Sequence, residues 1–217
     1  MQESTSREKV LKAIRDALVN PMEPRYHEEE YVAKIYAPAQ SEYVEVVFAE
    51  AFARVKGSFV YNSSEAEFSE NLKNLLQARG HSDVHCYENN LQAILNEHGI
   101  FCINAHDELV NCHIAVTSCE FLVARTGSIM VSSRQQCGRR GFIFPPLHIV
   151  VAWRNQLVYD LKDAFAALKE KYREEGIPSL ISMITGPSRT ADIEKTLVLG
   201  AHGPQELFVF FIDDEGR

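Results

Sequence analysis

The chain has 217 residues, 46% hydrophobic and 24% charged, which suits one α/β domain with a real core. Its formal net charge of -8 opposes general binding to a phosphate backbone, so no nucleic-acid partner is expected, and no apolar run approaches the roughly 20 residues of a membrane span. The five cysteines, Cys86, Cys102, Cys112, Cys119 and Cys137, are odd in number, widely spaced and without a CxxC pair, which argues against a disulfide framework and against an iron–sulfur cluster in this chain.

In chain order, Thr5-x-x-Glu8 forms a capping box, and Val10, Leu11, Ile14 and Leu18 follow at helical spacing until Asn20-Pro21 stops the helix. This N-terminus is amphipathic and mixed in charge, unlike a secretory signal, and predicts a cytoplasmic protein. Residues 21 to 40 read as irregular. A second helix is expected over residues 41 to 55, ended by Gly57, and Ser58 to Tyr61 reads as a strand. Ser64-x-x-Glu67 is another capping box, with Phe68, Leu72, Leu75 and Leu76 as an apolar stripe and Gly80 closing the helix.

A strand–helix rhythm follows. Strands are expected at Val84 to Tyr87, Ile100 to Ile103, Ile114 to Thr117, Phe121 to Ala124, Ser128 to Ser132, His148 to Ala152, Leu180 to Ile184 and Leu207 to Ile212. Helices are expected over residues 89 to 98 and 158 to 173, the latter with Leu161, Phe165 and Leu168 on its apolar side. The fold class is therefore α/β, a mixed, partly parallel sheet flanked by helices, with antiparallel pairs among residues 114 to 132. A helical extension over residues 1 to 57 precedes an α/β domain over residues 58 to 217.

Three stretches carry unusual chemistry. Residues 185 to 194, TGPSRTADIE, follow a strand with a glycine turn and a potential helix start. Backbone N–H groups and the helix dipole there favour an anion, and Arg189 can clamp a carboxylate or phosphate. The same residues equally suit a capped helix in which Ser188 or Thr190 is the cap and Arg189 pairs with Asp192 or Glu194. Residues 200 to 204, GAHGP, put His202 between glycine-rich turns, as a base, a ligand or a structural imidazole. Arg134, Arg139 and Arg140 crowd one loop before Pro145-Pro146 and His148, a positive patch for an anion or an acidic partner. Cys112-His113 with Cys119 is only a loose metal-ligand pattern, and no metal is expected. GxSxG, HExxH, GxGxxG and GxxxxGK[ST] are all absent.

Ala124-Arg125-Thr126-Gly127-Ser128, Gly138-Arg139, the run Pro145 to Val151, and above all GPSRTADIE (186 to 194) and TLVLGAHGP (196 to 204) resemble the lactate utilization protein C family. The resemblance covers roughly residues 80 to 213 and implies a fold like the sugar-phosphate isomerases and CoA-transferases. It implies a cluster-free subunit in oxidation of L-lactate to pyruvate, working with two co-encoded proteins, one or both carrying iron–sulfur clusters, and no cofactor in this chain. The expected anion-binding residues are Gly186, Ser188, Arg189, Thr190, His202, Gly203, Arg139, Arg125, Thr126 and Gly127. The candidate catalytic groups are Glu194, Asp192 and His202. Many members have an acidic residue where this chain has Arg125, which adds a positive group near the arginine loop.

The alternatives are a stand-alone isomerase-like or CoA-transferase-like enzyme, for which Asp192, Glu194 and Glu120 are the candidate bases or nucleophiles, and a non-catalytic assembly protein that docks through its arginines.

Overall fold

The computed structural model describes residues 6–19, 43–105, 112–190, 198–199 and 202–214. The chain divides into two units, Met1–Pro38 and Ala39–Arg217. In the first, α1 (Ser6–Val19) has the expected helical span, with Val10, Leu11 and Ile14 exposed; its Thr5 cap and the stop at Asn20-Pro21 lie outside the described residues.

The second unit begins before α2 (Val44–Arg54), so this helix belongs to the α/β body and not to an extension ending at residue 57. The reason is packing: Phe48 and Phe52 are both fully buried in the core. The left-handed residue after α2 is Lys56, with φ of 68°. Gly57 is needed for space, because a Cβ there would come within 2.3 Å of the Phe52 ring.

The main sheet has six strands in the order β1–β12–β7–β4–β2–β3, every pair parallel. These are β1 (Ser58–Asn62), β2 (Asp83–His85), β3 (Phe101–Ile103), β4 (Ile114–Thr117), β7 (Leu147–Trp153) and β12 (Glu206–Ile212). α3 (Glu65–Ala78) and α4 (Asn89–Glu97) connect β1 to β2 and β2 to β3. Ser64 Oγ caps α3 by accepting from Glu67 N, and Glu67 returns its carboxylate to Ser63 N at 2.7 Å instead of Ser64. Phe68, Leu72 and Leu76 of α3, with Leu91, Ile94 and Leu95 of α4, cover one sheet face against Ile114, Val116, Ile149, Val151 and Phe210.

The antiparallel pairs expected from the short links among residues 114 to 132 form a separate sheet. It runs β8–β5–β6–β9, from β5 (Phe121–Val123), β6 (Ser128–Ser132), β8 (Leu157–Val158) and β9 (Ile181–Ile184). Alternation explains why it stands apart. Leu122, Ile129 and Val131 point towards α2 and the main sheet, while Phe121, Val123 and Met130 point towards α6 (Leu161–Lys171). A strand in the main sheet would bury those two sets under helices; here the second sheet is itself the covering layer. In α6 the buried side is Ala164 and Leu168, and Phe165 is exposed, because a 3.6-residue period sets it off the Ala164–Leu168 line. No described helix is long and apolar enough to cross a membrane.

Candidate functional site

β9 ends at Ile184 and the chain turns at Gly186, whose φ is 90°. A Cβ at this position would lie 2.4 Å from the Val55 carbonyl, so the turn presses on the end of α2 and only glycine fits. The helix start expected at Ala191 to Glu194 lies outside the described residues. Arg189 and Thr190 form β10 (Arg189–Thr190), paired antiparallel with β11 (Val198–Leu199). Ser188 N donates to Pro204 O at 2.8 Å, which removes that amide from any anion cradle. The bond also draws the His202-Gly203-Pro204 turn onto the first motif, where a Cβ on Gly203 would approach Ser188 Cβ to 3.2 Å.

These two turns and the Gly138–Gly141 turn of helix, α5, open onto a cavity of about 500 Å³. Its polar lining includes Arg139, Ser182, Thr185, Ser188, Arg189 and His202; its apolar lining, the floor, includes Val131, Phe142, Leu180 and Met183. Arg139 Nη2 lies 3.5 Å from Ser179 Oγ. Among the described residues neither Arg139 nor Arg189 has a carboxylate partner. Two guanidinium groups without a carboxylate partner among the described residues, over an apolar floor, suit a small anion with a carbon skeleton.

Of the residues expected to bind a ligand, Gly186, Ser188, Arg189, His202, Gly203 and Arg139 come together at this cavity. Thr190 is the neighbouring strand residue. Arg125, Thr126 and Gly127 do not line it. Arg125 Nε instead meets Asp160 Oδ2 at 2.8 Å, and Asp160 is the buried cap of α6. Gly127, with φ of 60°, packs against the α2 backbone, where a Cβ would come within 2.5 Å of Phe52 N. Thr126 has a supporting place: Ser128 Oγ donates to its hydroxyl and lies 2.8 Å from Thr185 Oγ1, joining this turn to the Gly186 turn. Asp192 and Glu194 lie outside the described residues.

Within the arginine loop, Arg134 and Arg139 meet different partners. Arg134 turns away from the cavity, donating to Glu175 O at 2.8 Å and facing the Glu175 carboxylate at 3.5 Å. Glu120 is not a free nucleophile. It is 1% exposed and accepts from Ser132 Oγ at 2.6 Å, Lys171 Nζ at 2.7 Å and Tyr172 Oη at 2.9 Å. Burial, followed by this bond, pushes the Tyr172 phenol up to about 12, so it remains a donor. His148, expected at a strand start, is fully buried, and burial lowers it to about 3, so its ring is neutral. Its Nε2 lies 2.8 Å from Thr117 Oγ1. Thr117 spends its one proton on Ser118 O, so Nε2 is the donor, and Nδ1 has no hydrogen-bond partner among the described residues. All five cysteines are free thiols, and the described residues contain no group of three or more metal-ligating side chains.

Sequence reasoning missed the apolar floor, since Leu180 and Met183 read only as strand residues.

Comparison with known proteins gives the same setting. A curated lactate utilization protein C from Bacillus licheniformis is 34% identical over 103 residues, which is 47% of this chain and 43% of the relative. Another, from Deinococcus radiodurans, is 33% identical over 109 residues, half of each chain. The chain spans about half the length of the curated relatives it matches. The crystal structure of a DUF162 family protein from Deinococcus radiodurans shares the fold, with a TM-score of 0.62 at 20% identity over 81% of this chain and 99% of that one. The LUD domain model matches residues 29–212. With that match over most of its length, and with motifs that resemble lactate utilization protein C, the chain belongs to the LUD domain family.

Proposed function

We propose that this chain is the cluster-free component of a lactate-utilization system and that its large cavity binds a small anion, a carboxylate such as lactate or a phosphate-bearing molecule. The observation that carries the reading is convergence. Arg139, Ser188 with Arg189, and His202 come from three separate stretches and line one cavity, with both guanidinium groups unpaired by carboxylate among the described residues. The names of the curated relatives support the metabolic setting. In this reading the chain is cytoplasmic and works with two co-encoded proteins, at least one of them holding iron–sulfur clusters.

A stand-alone isomerase or CoA-transferase is disfavoured because Glu120, one of its candidate nucleophiles, is saturated by three donors. Docking through the arginines is the weaker reading because Arg134 is already held by Glu175, through its carbonyl and its carboxylate.

Calorimetric titration of the purified chain with L-lactate, pyruvate and inorganic phosphate tests the site. One of them is expected to bind, and Arg189→Gln to weaken it about tenfold, about 1.4 kcal/mol. Absence of binding by all three would falsify the anion site. Full lactate oxidation by the two partner proteins without this chain would refute the subunit role.

A further inference from the structure

The main sheet changes direction between β2 and β4. From β2 the chain passes through α4 outward to the edge strand β3; from β4 it proceeds the opposite way, through β7 to β12. Connections that diverge from two adjacent parallel strands leave a crevice beyond their carboxyl ends, the usual ligand site of open α/β sheets. Here the two strands are registered through one pair only, His85 with Ala115, and beyond it Ser118 N is met by the Glu88 side chain and not by a ladder bond.

A cavity of about 290 Å³ occupies this place, apart from the anion cavity and sharing no lining residue with it. Its volume lies at the low end of small-ligand pockets and suits a small ligand. Glu88, Asn90, Gln135, Gln136, Lys171 and Tyr172 are among its lining residues.

Glu88 is the residue that a purely structural account explains least. It stands at the N-cap of α4 yet makes no cap bond with its side chain. The side chain crosses the gap instead, and Oε1 accepts from Ser118 N at 3.0 Å. It is 9% exposed and still lines the cavity. Burial holds its carboxyl above the usual carboxylate range, against the opposing bonds from Ser118 and the Cys137 thiol.

The charges around it are already balanced. Lys171 is paired with Glu120 at 2.7 Å and Arg134 with Glu175 at 3.5 Å. Gln135 is occupied at both ends, by Ser132 N and by Ser118, and Gln136 Oε1 accepts from Asn89 N at 2.8 Å. What the crevice still offers is the Asn90 amide, which both donates and accepts, and the Gln136 NH₂ donor, beside a carboxyl. Adjacent hydroxyl groups match that pattern, since each also both donates and accepts. An anion gains nothing from cations already neutralised. We propose that the crevice at the carboxyl ends of β2 and β4 is a second small-molecule site, which takes a small uncharged hydroxyl-bearing molecule and anchors it on Glu88.

The test is an NMR titration of the ¹⁵N-labelled full chain with erythritol as the neutral probe and inorganic phosphate as the anionic one. Erythritol is expected to shift the amides of Asn89, Ser118 and Gln135 saturably, and phosphate to leave them in place. Glu88→Gln keeps an acceptor for Ser118 N and should weaken erythritol binding about tenfold, while Arg189→Gln leaves it unchanged. Erythritol shifts absent from the crevice would overturn the proposal, as would phosphate shifting the crevice amides or equal loss in both variants. The wild-type shifts decide the matter even if Glu88→Gln fails to fold.

Discussion

The two cavities contrast in how their charges are spent. In the larger one Arg139, Arg189 and His202 stand on turns and a short strand, over an apolar floor, with no carboxylate partner among the described residues. In the switch-point crevice Lys171, Glu120 and Arg134 are held in ion pairs, Glu120 alone receives three hydrogen bonds, and Glu88 has only neutral partners, Ser118 and Cys137. Unspent charge is available to a ligand; spent charge holds the fold. The comparison teaches that the basic cavity should be sensitive in binding and tolerant in stability, and that the crevice should be the reverse for all but Glu88.

The strongest way to break the contrast is the exception on the basic side. Gly186→Val combines a positive φ with a Cβ 2.4 Å from the Val55 carbonyl and should cost about 3 kcal/mol or more in urea denaturation. A cost near zero would show that the turn does not press on α2. Glu120→Ala comes next. It strands the hydroxyls of Ser132 and Tyr172, while Lys171, 48% exposed, can rehydrate. The expected loss is about 2 kcal/mol.

His148 sharpens the crevice side through pH. It donates to Thr117, the last residue of β4. Its folded value, about 3, lies below the ordinary 6.5 because burial opposes the charged ring. Above about pH 6.5 both folded and unfolded states are neutral and its contribution is full. As pH falls below that, only the unfolded state takes the proton, and stability drops by about 1.4 kcal/mol per pH unit until the folded value is reached. His148→Gln should remove this slope between pH 6 and pH 4; an unchanged slope would show that other groups set the acid limit. The smallest effect is expected from Arg139→Ala, within about 0.5 kcal/mol of the parent in stability, with anion affinity reduced in the same preparation.

Much of the fold was legible because its strands are short apolar runs bounded by clear stops. The Ser64 cap, the Phe68–Leu72–Leu76 stripe and the Gly80 stop fall where periodicity puts them. What sequence could not show was which sheet a strand joins. Phe121 to Val123 and Ser128 to Ser132 have the same apolar character as the main strands, and only three-dimensional packing separates them. The basic cavity was partly legible, since glycine, arginine and histidine mark turns and charge. Its floor was not, because Leu180 and Met183 carry no local signal beyond strand propensity. Arg125 shows the opposite failure: an arginine beside a loop of arginines reads as part of a patch, whereas a cap residue 35 positions away, Asp160, captures it.

The single registered pair between β2 and β4 has a mechanical consequence. β2, β3 and α4 form a wing joined to the rest of the body by the His85–Ala115 pair, by shared core packing, and by two hydrogen bonds, Ser118 N to the Glu88 carboxyl and Asn89 N to Gln136 Oε1. Such a wing can open as a unit below the free energy of global unfolding, and its amides would then exchange with solvent ahead of those of β7 and β12. A molecule resting on Glu88 would act as a rivet across that seam.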